Sequence, residues 1–422
     1  MQNTLGWLFV CISLCSGFDW PDNVTQHTGY ITVNETHGGN LFYWLIGSRG
    51  DPQKDPLVVW LTGGPGCSSI LALFSENGPF LINNKTKEPV YNPYGWNSHA
   101  NLLYIDQPVG SGFSYVTHPH LYVFNEKEVA SDLLTFMNLF YEKFPEYNQR
   151  DLYIFGESYA GHYIPATSAL ILKSNSIAAR NLKGIGIGDG FVDPAVQYHA
   201  YGEFMYSQNL ISEATYKTAN LTSDICTGLI DTKVWILAVD ECQIVMEGVL
   251  EAAEVKLKRS INPYDIRIPC GDSLLCYNFD DVTTFLNRED VQKAIGVNRT
   301  WQSCNMEVHL FMLGDWIASF QGDVADTLSA GVRVLVYNGK YDYICNYIGG
   351  HEWTSRMRWH GQTDFNKANT TVWTVDGTSA GTVQTAAGLT FLAVNNAGHL
   401  VPMDQPKNSL DMLDRFLTKQ PF

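Results

Sequence analysis

The segment Asp151-Leu-Tyr-Ile-Phe-Gly-Glu-Ser-Tyr-Ala-Gly161 joins an apolar, β-prone run to a turn of small residues. Asp151–Phe155 reads as a buried strand, and a helical pattern follows from Tyr159 to Lys173. Between them lies Gly156-Glu157-Ser158-Tyr159-Ala160-Gly161, a serine flanked by small residues on a strand-to-helix turn. Such a turn pushes the hydroxyl out above the sheet and aims the next backbone N–H at a reacting carbonyl oxygen. Ala160 stands where a G-x-S-x-G pattern has its last glycine, a small-for-small change. An ordinary serine in a strand–helix turn is the competing reading; the strand–turn–helix context is what favours a nucleophile.

Outward from this segment, short apolar runs alternate with helical patterns. Leu57–Leu61, Leu102–Ile105, Val332–Tyr337 and Thr390–Val394 also read as buried strands of a mostly parallel sheet. Asn125 to Phe144 reads as a helix, as does Asn408 to Thr418, which places Leu410, Leu413, Phe416 and Leu417 on one face. The alternation predicts an α/β sheet with helices on both faces. It breaks between about Asp193 and Gly314, where Cys226, Cys242, Cys270, Cys276 and Cys304 fall among helical patterns. The expected organisation is a core of residues 18–192 and 314–422, with residues 193–313 as a disulfide-stapled cap insertion.

Two further places carry chemistry. Trp60-Leu-Thr-Gly-Gly-Pro-Gly-Cys-Ser-Ser69 is a glycine-rich turn after a strand, where backbone can approach a ligand closely. Gly64 N–H could complete an oxyanion hole with Tyr159 N–H. No Gly-Lys-Ser/Thr follows, so a phosphate-binding loop is excluded. Near the C-terminus, Asp342 follows the Val332–Tyr337 run and His399 follows Thr390–Val394 on a Gly-His turn. Ser, Asp and His in that chain order, each in a loop after a strand, is the α/β-hydrolase order. His162, one turn into the helix after Ser158, reads as structural.

Composition sets the boundaries. The 422 residues carry 27 Lys+Arg against 43 Asp+Glu, a formal net charge of −16 without any Lys/Arg-rich run, so nucleic acid is an improbable partner. A chain that is 45% hydrophobic and only 17% charged can bury a sizeable core. No apolar run outside the N-terminus approaches the ~18 residues a membrane span needs. Leu5 to Cys15, followed by Ser16-Gly17, has the length and small-residue boundary of a secretory leader over residues 1–17, although it lacks a Lys or Arg in front. Asn23, Asn34, Asn84, Asn220, Asn298 and Asn369 each have Thr two residues on, as glycosylation acceptors do. Beyond the leader seven cysteines remain, an odd number, which in an oxidising compartment leaves at least one free thiol. A local disulfide could close the loop between Cys270 and Cys276. No Cys/His cluster has zinc spacing, so neither metal nor cofactor is indicated.

WLTGGPGCSS (Trp60–Ser69), YIDQPVGSGFSY (Tyr104–Tyr115), GESYAGHYIP (Gly156–Pro165), GKYDYICN (Gly339–Asn346) and NAGHLVPMDQP (Asn396–Pro406) together resemble the serine carboxypeptidases. The resemblance implies an α/β-hydrolase fold with a cap, and removal of C-terminal residues from peptides at acidic pH. It implies Ser158 as nucleophile, His399 as general base and acid, Asp342 as the group orienting His399, and Gly64 and Tyr159 as oxyanion-hole donors. The substrate carboxylate would be held by Thr62, Gly63, Glu76 and Glu157, the paired acids sharing a proton that low pH retains. Thr62 departs from the family's usual Asn, and its hydroxyl offers one shorter donor, so weaker anchoring is expected. Leu400, where Met is frequent, conserves volume. The resemblance also implies the pairs Cys67–Cys304, Cys270–Cys276 and Cys226–Cys242, leaving Cys345 as a free thiol near the pocket. Relatives include acyltransferases using activated esters, and proteins with a protective, non-catalytic binding role in luminal complexes. Dimerisation is common among them, and secretion or delivery to a vacuole or lysosome is the expected destination.

Overall fold

A computed structural model describes residues 13–14, 18–34, 38–118, 122–271, 273 and 275–422. Its strands are β1 (Ser13–Leu14), β2 (Gln26–Asn34), β3 (Gly39–Ile46), β4 (Leu57–Leu61), β5 (Phe80–Ile82), β6 (Pro89–Tyr91) and β7 (Asn101–Asp106) in the first part of the chain. They continue with β8 (Tyr115–Val116), β9 (Leu152–Glu157), β10 (Leu182–Gly188), β11 (Arg333–Gly339), β12 (Thr371–Val375), β13 (Thr378–Ala386) and β14 (Leu389–Val394). One sheet runs β1-β2-β3-β7-β4-β9-β10-β11-β14-β13-β12, with β8 added on β3 and β5–β6 a separate hairpin. The central strands β7, β4, β9, β10, β11 and β14 are parallel, flanked by antiparallel strands on both sides. Residues 1–17 lie outside the described residues apart from Ser13–Leu14, whose backbone pairs with β2. The sequon at Asn34 also runs outside them.

Burial on both faces explains why the central strands read as unbroken apolar runs. Successive side chains point to opposite sides of a strand. Thus Leu57, Val59, Leu103, Ile105, Ile154, Val334 and Val336 feed one buried cluster, while Val58, Trp60, Tyr104, Phe155, Leu335 and Tyr337 feed another. β10 (LKGIGIG) is the exception in composition. A Cβ on Gly186 would lie 2.1 Å from the Phe155 ring and one on Gly188 2.4 Å from the Tyr337 ring, so aromatic neighbours fill the space above the glycines.

The helices form at the expected places. Glu126–Lys143 is capped by Asn125, whose side chain accepts from Glu128 N. Ala160–Leu172 follows β9, and Pro406–Thr418 opens on proline, where the missing N–H is not needed. Between Gly188 and Arg333 no strand occurs among the described residues. That stretch is dominated by the hairpin of Glu213–Asp231 and Trp235–Leu257, joined by the fully buried Cys226–Cys242 disulfide. Cys270–Cys276 closes a small loop, and Cys67–Cys304 ties the glycine-rich turn after β4 to the far end of the insertion.

Candidate active site

The site lies beyond the carboxyl ends of β4, β9, β10, β11 and β14, where an open α/β sheet receives its ligands. Ser158 directly follows β9 at φ +62°, left-handed backbone that a non-glycine residue rarely adopts. Surrounding bonds hold it there: Ser158 N donates to Gly188 O at 3.0 Å, and Ser158 O accepts from Gly161 N at 2.9 Å and from Phe191 N at 3.0 Å. The small flanking residues are required by crowding, since a Cβ on Gly156 would come within 2.0 Å of Leu61 O. The same Cβ would meet the Ala160 methyl at only 3.0 Å.

The glycine-rich turn is pressed against this elbow. A Cβ on Gly63 would lie 2.4 Å from Tyr159 N and 2.9 Å from Ser158 Cβ. Backbone bonds from Ser68 N to Ser303 O (2.8 Å) and Asn305 N to Gly66 O (2.9 Å) reinforce the Cys67–Cys304 link. Neither Gly64 N nor Tyr159 N donates to an acceptor among the described residues. Thr62 N donates to Ser69 Oγ at 3.1 Å, and Thr62 Oγ1 accepts from Trp60 Nε1 at 3.0 Å.

His399 Nδ1 lies 2.8 Å from Asp342 Oδ2, both side chains buried. Asp342 also accepts from Ile344 N and Cys345 N, at 3.0 and 3.2 Å, which fixes the carboxylate plane. Burial pushes the Asp342 carboxyl upward, opposed by His399 and these bonds. With Nδ1 committed, Nε2 is the imidazole nitrogen left for chemistry in the cavity that His399 and Ser158 both line. Cys345 is a buried free thiol, and burial raises its pKa well above the ordinary range. Asp342, Cys345 and His399 offer ligand atoms within 4.8 Å of one another, yet the carboxylate is already taken up by His399 and two N–H groups.

Glu157 lines the same cavity, whereas Glu76 sits behind it, 2% exposed, as the C-cap of the helix Ser69–Ser75. Both Glu76 oxygens and Glu157 Oε2 are fully buried, and the two carboxyls face each other within hydrogen-bond reach. Burial is the largest cause pushing each carboxyl up, and Glu76 raises Glu157 further. Two acids so placed retain a proton where an exposed pair would not. The cavity, about 550 Å³, takes its other walls from aromatic groups including Tyr198, Tyr201, Tyr264, Tyr277 and Trp316. His162 is elsewhere in the core: its Nδ1 meets Phe191 O at 2.5 Å, its ring stacks on Tyr159, and burial lowers its pKa to about 4.

A family model for serine carboxypeptidases matches residues 17–419. The chain belongs to the serine carboxypeptidase family. Serine carboxypeptidase 3 of Oryza sativa subsp. japonica is 40% identical over 401 residues, 93% of this chain and 79% of that protein. A serine carboxypeptidase family member of Dictyostelium discoideum is 37% identical over 417 residues, covering 97% of this chain and 99% of its own. The crystal structure of a prohormone-processing carboxypeptidase from Saccharomyces cerevisiae superposes with a TM-score of 0.85 at 25% identity, covering 95% of this chain and 93% of that one. The fold of this serine carboxypeptidase family member is therefore that of an α/β-hydrolase, and its reaction class is serine-type carboxypeptidase.

Two residues of the site were not singled out in the sequence. Asp189, directly after β10, has φ +41° and is fully buried; its Oδ1 accepts from Gly339 N at 2.8 Å, and its carboxyl faces Asp342. An acidic residue inside Gly188-Asp189-Gly190 at a strand end was the available signal. Tyr264 lies against the His399 ring at 5.1 Å between centroids, and its carbonyl accepts from His399 N at 2.8 Å. Tyr264 comes from the insertion, where no periodic pattern relates it to the C-terminal loops.

Proposed function

We propose that the chain removes C-terminal residues from peptides at acidic pH through an acyl-enzyme on Ser158. The observation that carries this reading is one cavity lined by Ser158, by His399 bonded to Asp342, and by Glu157 with the buried Glu76 behind it. His399 Nε2 takes the Ser158 proton as Oγ attacks the scissile carbonyl, while Gly64 N–H and Tyr159 N–H receive the developing oxyanion. The imidazolium, stabilised by Asp342, protonates the departing amine; water then enters and the same nitrogen serves again as base. Glu157, sharing a proton with Glu76, donates to the free α-carboxylate, together with Thr62 and the Gly63 backbone. Because the pair holds its proton only below its raised pKa, anchoring fails as pH rises through that range.

Residues 193–313 act in this reading as the cap that roofs the cavity, and a luminal or extracellular destination suits the three disulfides. Asn23, Asn84, Asn298 and Asn369 are exposed, as glycan acceptors must be, whereas Asn220 is half-buried within the helix Glu213–Asp231. The test is hydrolysis of blocked dipeptides at about pH 5 beside their C-terminal amides, with Ser158→Ala as the inactive control. Equal rates on the amides would remove the carboxypeptidase reading. Thr62, its hydroxyl engaged by Trp60, keeps acyl transfer as a second reading, which requires rapid turnover of activated esters with poor turnover of peptides.

A further inference from the structure

The helix Trp235–Leu257 presents two faces with different partners. Ala238, Cys242, Val245 and Val249 are buried, and the Cys226–Cys242 bond fixes the helix's rotation against its hairpin partner. The other face carries Val239, Asp240, Gln243 and Met246, all of which line the catalytic cavity. Their spacing places them on one stripe. Ile236, one turn further out on that stripe, is 81% exposed, and Val234 and Leu237 beside it are exposed too. The stripe thus runs from the cavity to solvent, with Gln243 and Asp240 set among the apolar Met246, Val239 and Ile236.

The stripe has a direction. At its inner end Met246 shares the wall with Ile344 and Cys345, and Met246 O accepts from Tyr343 Oη at 2.6 Å, next to the loop that carries Asp342. The acidic pair that would take the substrate carboxylate belongs to β9 and the glycine-rich side of the cavity, so the acyl portion of a substrate leaves along the helix. From Met246 to Ile236 is ten residues of helix, about 15 Å. Extended peptide covers that distance in four to five residues at about 3.3 Å each. Asp240, the only charged side chain on the stripe, lies about 9 Å along it, opposite the third residue upstream.

We infer that this stripe is an extended binding groove for the acyl side of longer peptides, favouring a basic side chain opposite Asp240 and an apolar one against Ile236. The inference rests on the carboxypeptidase reading above and adds to it which part of a substrate is recognised beyond the scissile bond. It predicts that chain length, and not the last two residues alone, sets kcat/KM.

The experiment uses the full chain and N-blocked peptides of two to six residues that share their last two. Wild type is expected to gain about tenfold in kcat/KM from the shortest to the longest, the equivalent of burying much of one large apolar side chain. Within the longest series, Lys at the third upstream position should exceed Glu by about fivefold, and Asp240→Asn should bring that ratio to about one. Ile236→Ser should flatten the length dependence. Each readout is a ratio within one preparation, so a partial loss of folded enzyme cancels. If the blocked dipeptide is not cleaved, the carboxypeptidase reading itself fails. If it is cleaved but the length profile is flat, or unchanged in Ile236→Ser, or the Lys/Glu ratio does not respond to Asp240→Asn, the groove is refuted and the reading stands.

Discussion

Gly63→Ala tests the contact between the glycine-rich turn and the elbow most directly. The new methyl would lie 2.4 Å from Tyr159 N, 2.8 Å from Glu157 O and 2.9 Å from Ser158 Cβ. These atoms belong to a strand end and a helix start, and none is the free end of a flexible side chain. Restoring an ordinary contact of 3.4 Å moves the turn away from Tyr159 N by about 1 Å. Gly64 N moves with it, so the two N–H groups that converge on one oxygen in the proposed mechanism are pulled apart. Loss of one such donor costs about 10²–10³ in kcat, about 3–4 kcal/mol of transition-state stabilisation. The crowding itself costs about 1–3 kcal/mol of folding stability, a fall of a few degrees in Tm. The assay is kcat on a blocked dipeptide at about pH 5 with Tm measured on the same preparation. Gly248→Ala, on an outer helix position with nothing within 4 Å of the added methyl, is the control and should be close to wild type in both. A Gly63→Ala enzyme that keeps kcat within about threefold while Tm falls would refute the argument, because the strain would then have been relieved without moving the two donors.

Other expectations concern anchoring and pH. Thr62→Asn restores a two-donor amide beside the carboxylate site and should lower KM for peptides several-fold with little change in kcat; an unchanged KM contradicts the weaker-anchoring account. Wild-type KM for free-carboxylate peptides should rise with pH as the raised pKa values of Glu76 and Glu157 are passed, since the donating form exists only below them. Glu157→Gln, which cannot lose its donor, should flatten that rise, and a steep rise surviving in the variant would count against the pair. Glu126 is fully buried, and burial holds its pKa well above the ordinary value, reinforced by Asp315 and opposed by the Tyr159 hydroxyl. Its folded form binds a proton that the unfolded chain releases from about pH 4.5 upward, so stability present in acid is lost as pH rises, at about 1.4 kcal/mol per unit until the folded pKa is reached. Glu126→Gln should reduce the decline of Tm between pH 5 and 8, measured by thermal unfolding; an identical slope would show that Glu126 does not titrate in that range.

Legibility followed the kind of interaction that fixes each element. The five apolar runs correspond to β4, β7, β9, β11 and β14, because strands buried on both faces are built mainly from apolar residues. β10 escaped notice because its glycines make room for neighbouring aromatic rings, a reason that resides in other segments. β2 and the β12–β13 hairpin mix buried, half-buried and exposed residues at the flanks of the sheet, and their small and polar side chains weaken the signal. Ser158, Asp342 and His399 were recognisable because each follows a strand in a characteristic local sequence. Asp189 and Tyr264 were not, since their relation to Asp342 and His399 exists only after β10, β11 and the insertion have come together.

The bond between Cys67 and Cys304 has a consequence for the integrity of the chain. Its two ends are 237 residues apart and enclose β9, the elbow and the whole cysteine-bearing insertion. A single cut anywhere inside that span, including the exposed turn between the two hairpin helices, opens the backbone without separating the pieces. The segment bearing Gly64 and the segment bearing Asp342 and His399 remain one molecule until every disulfide spanning the cut is reduced, and a cut in that turn is spanned by Cys226–Cys242 as well. A protease that nicks the roof therefore leaves the floor assembled, and two chains seen after reduction would be one particle before it.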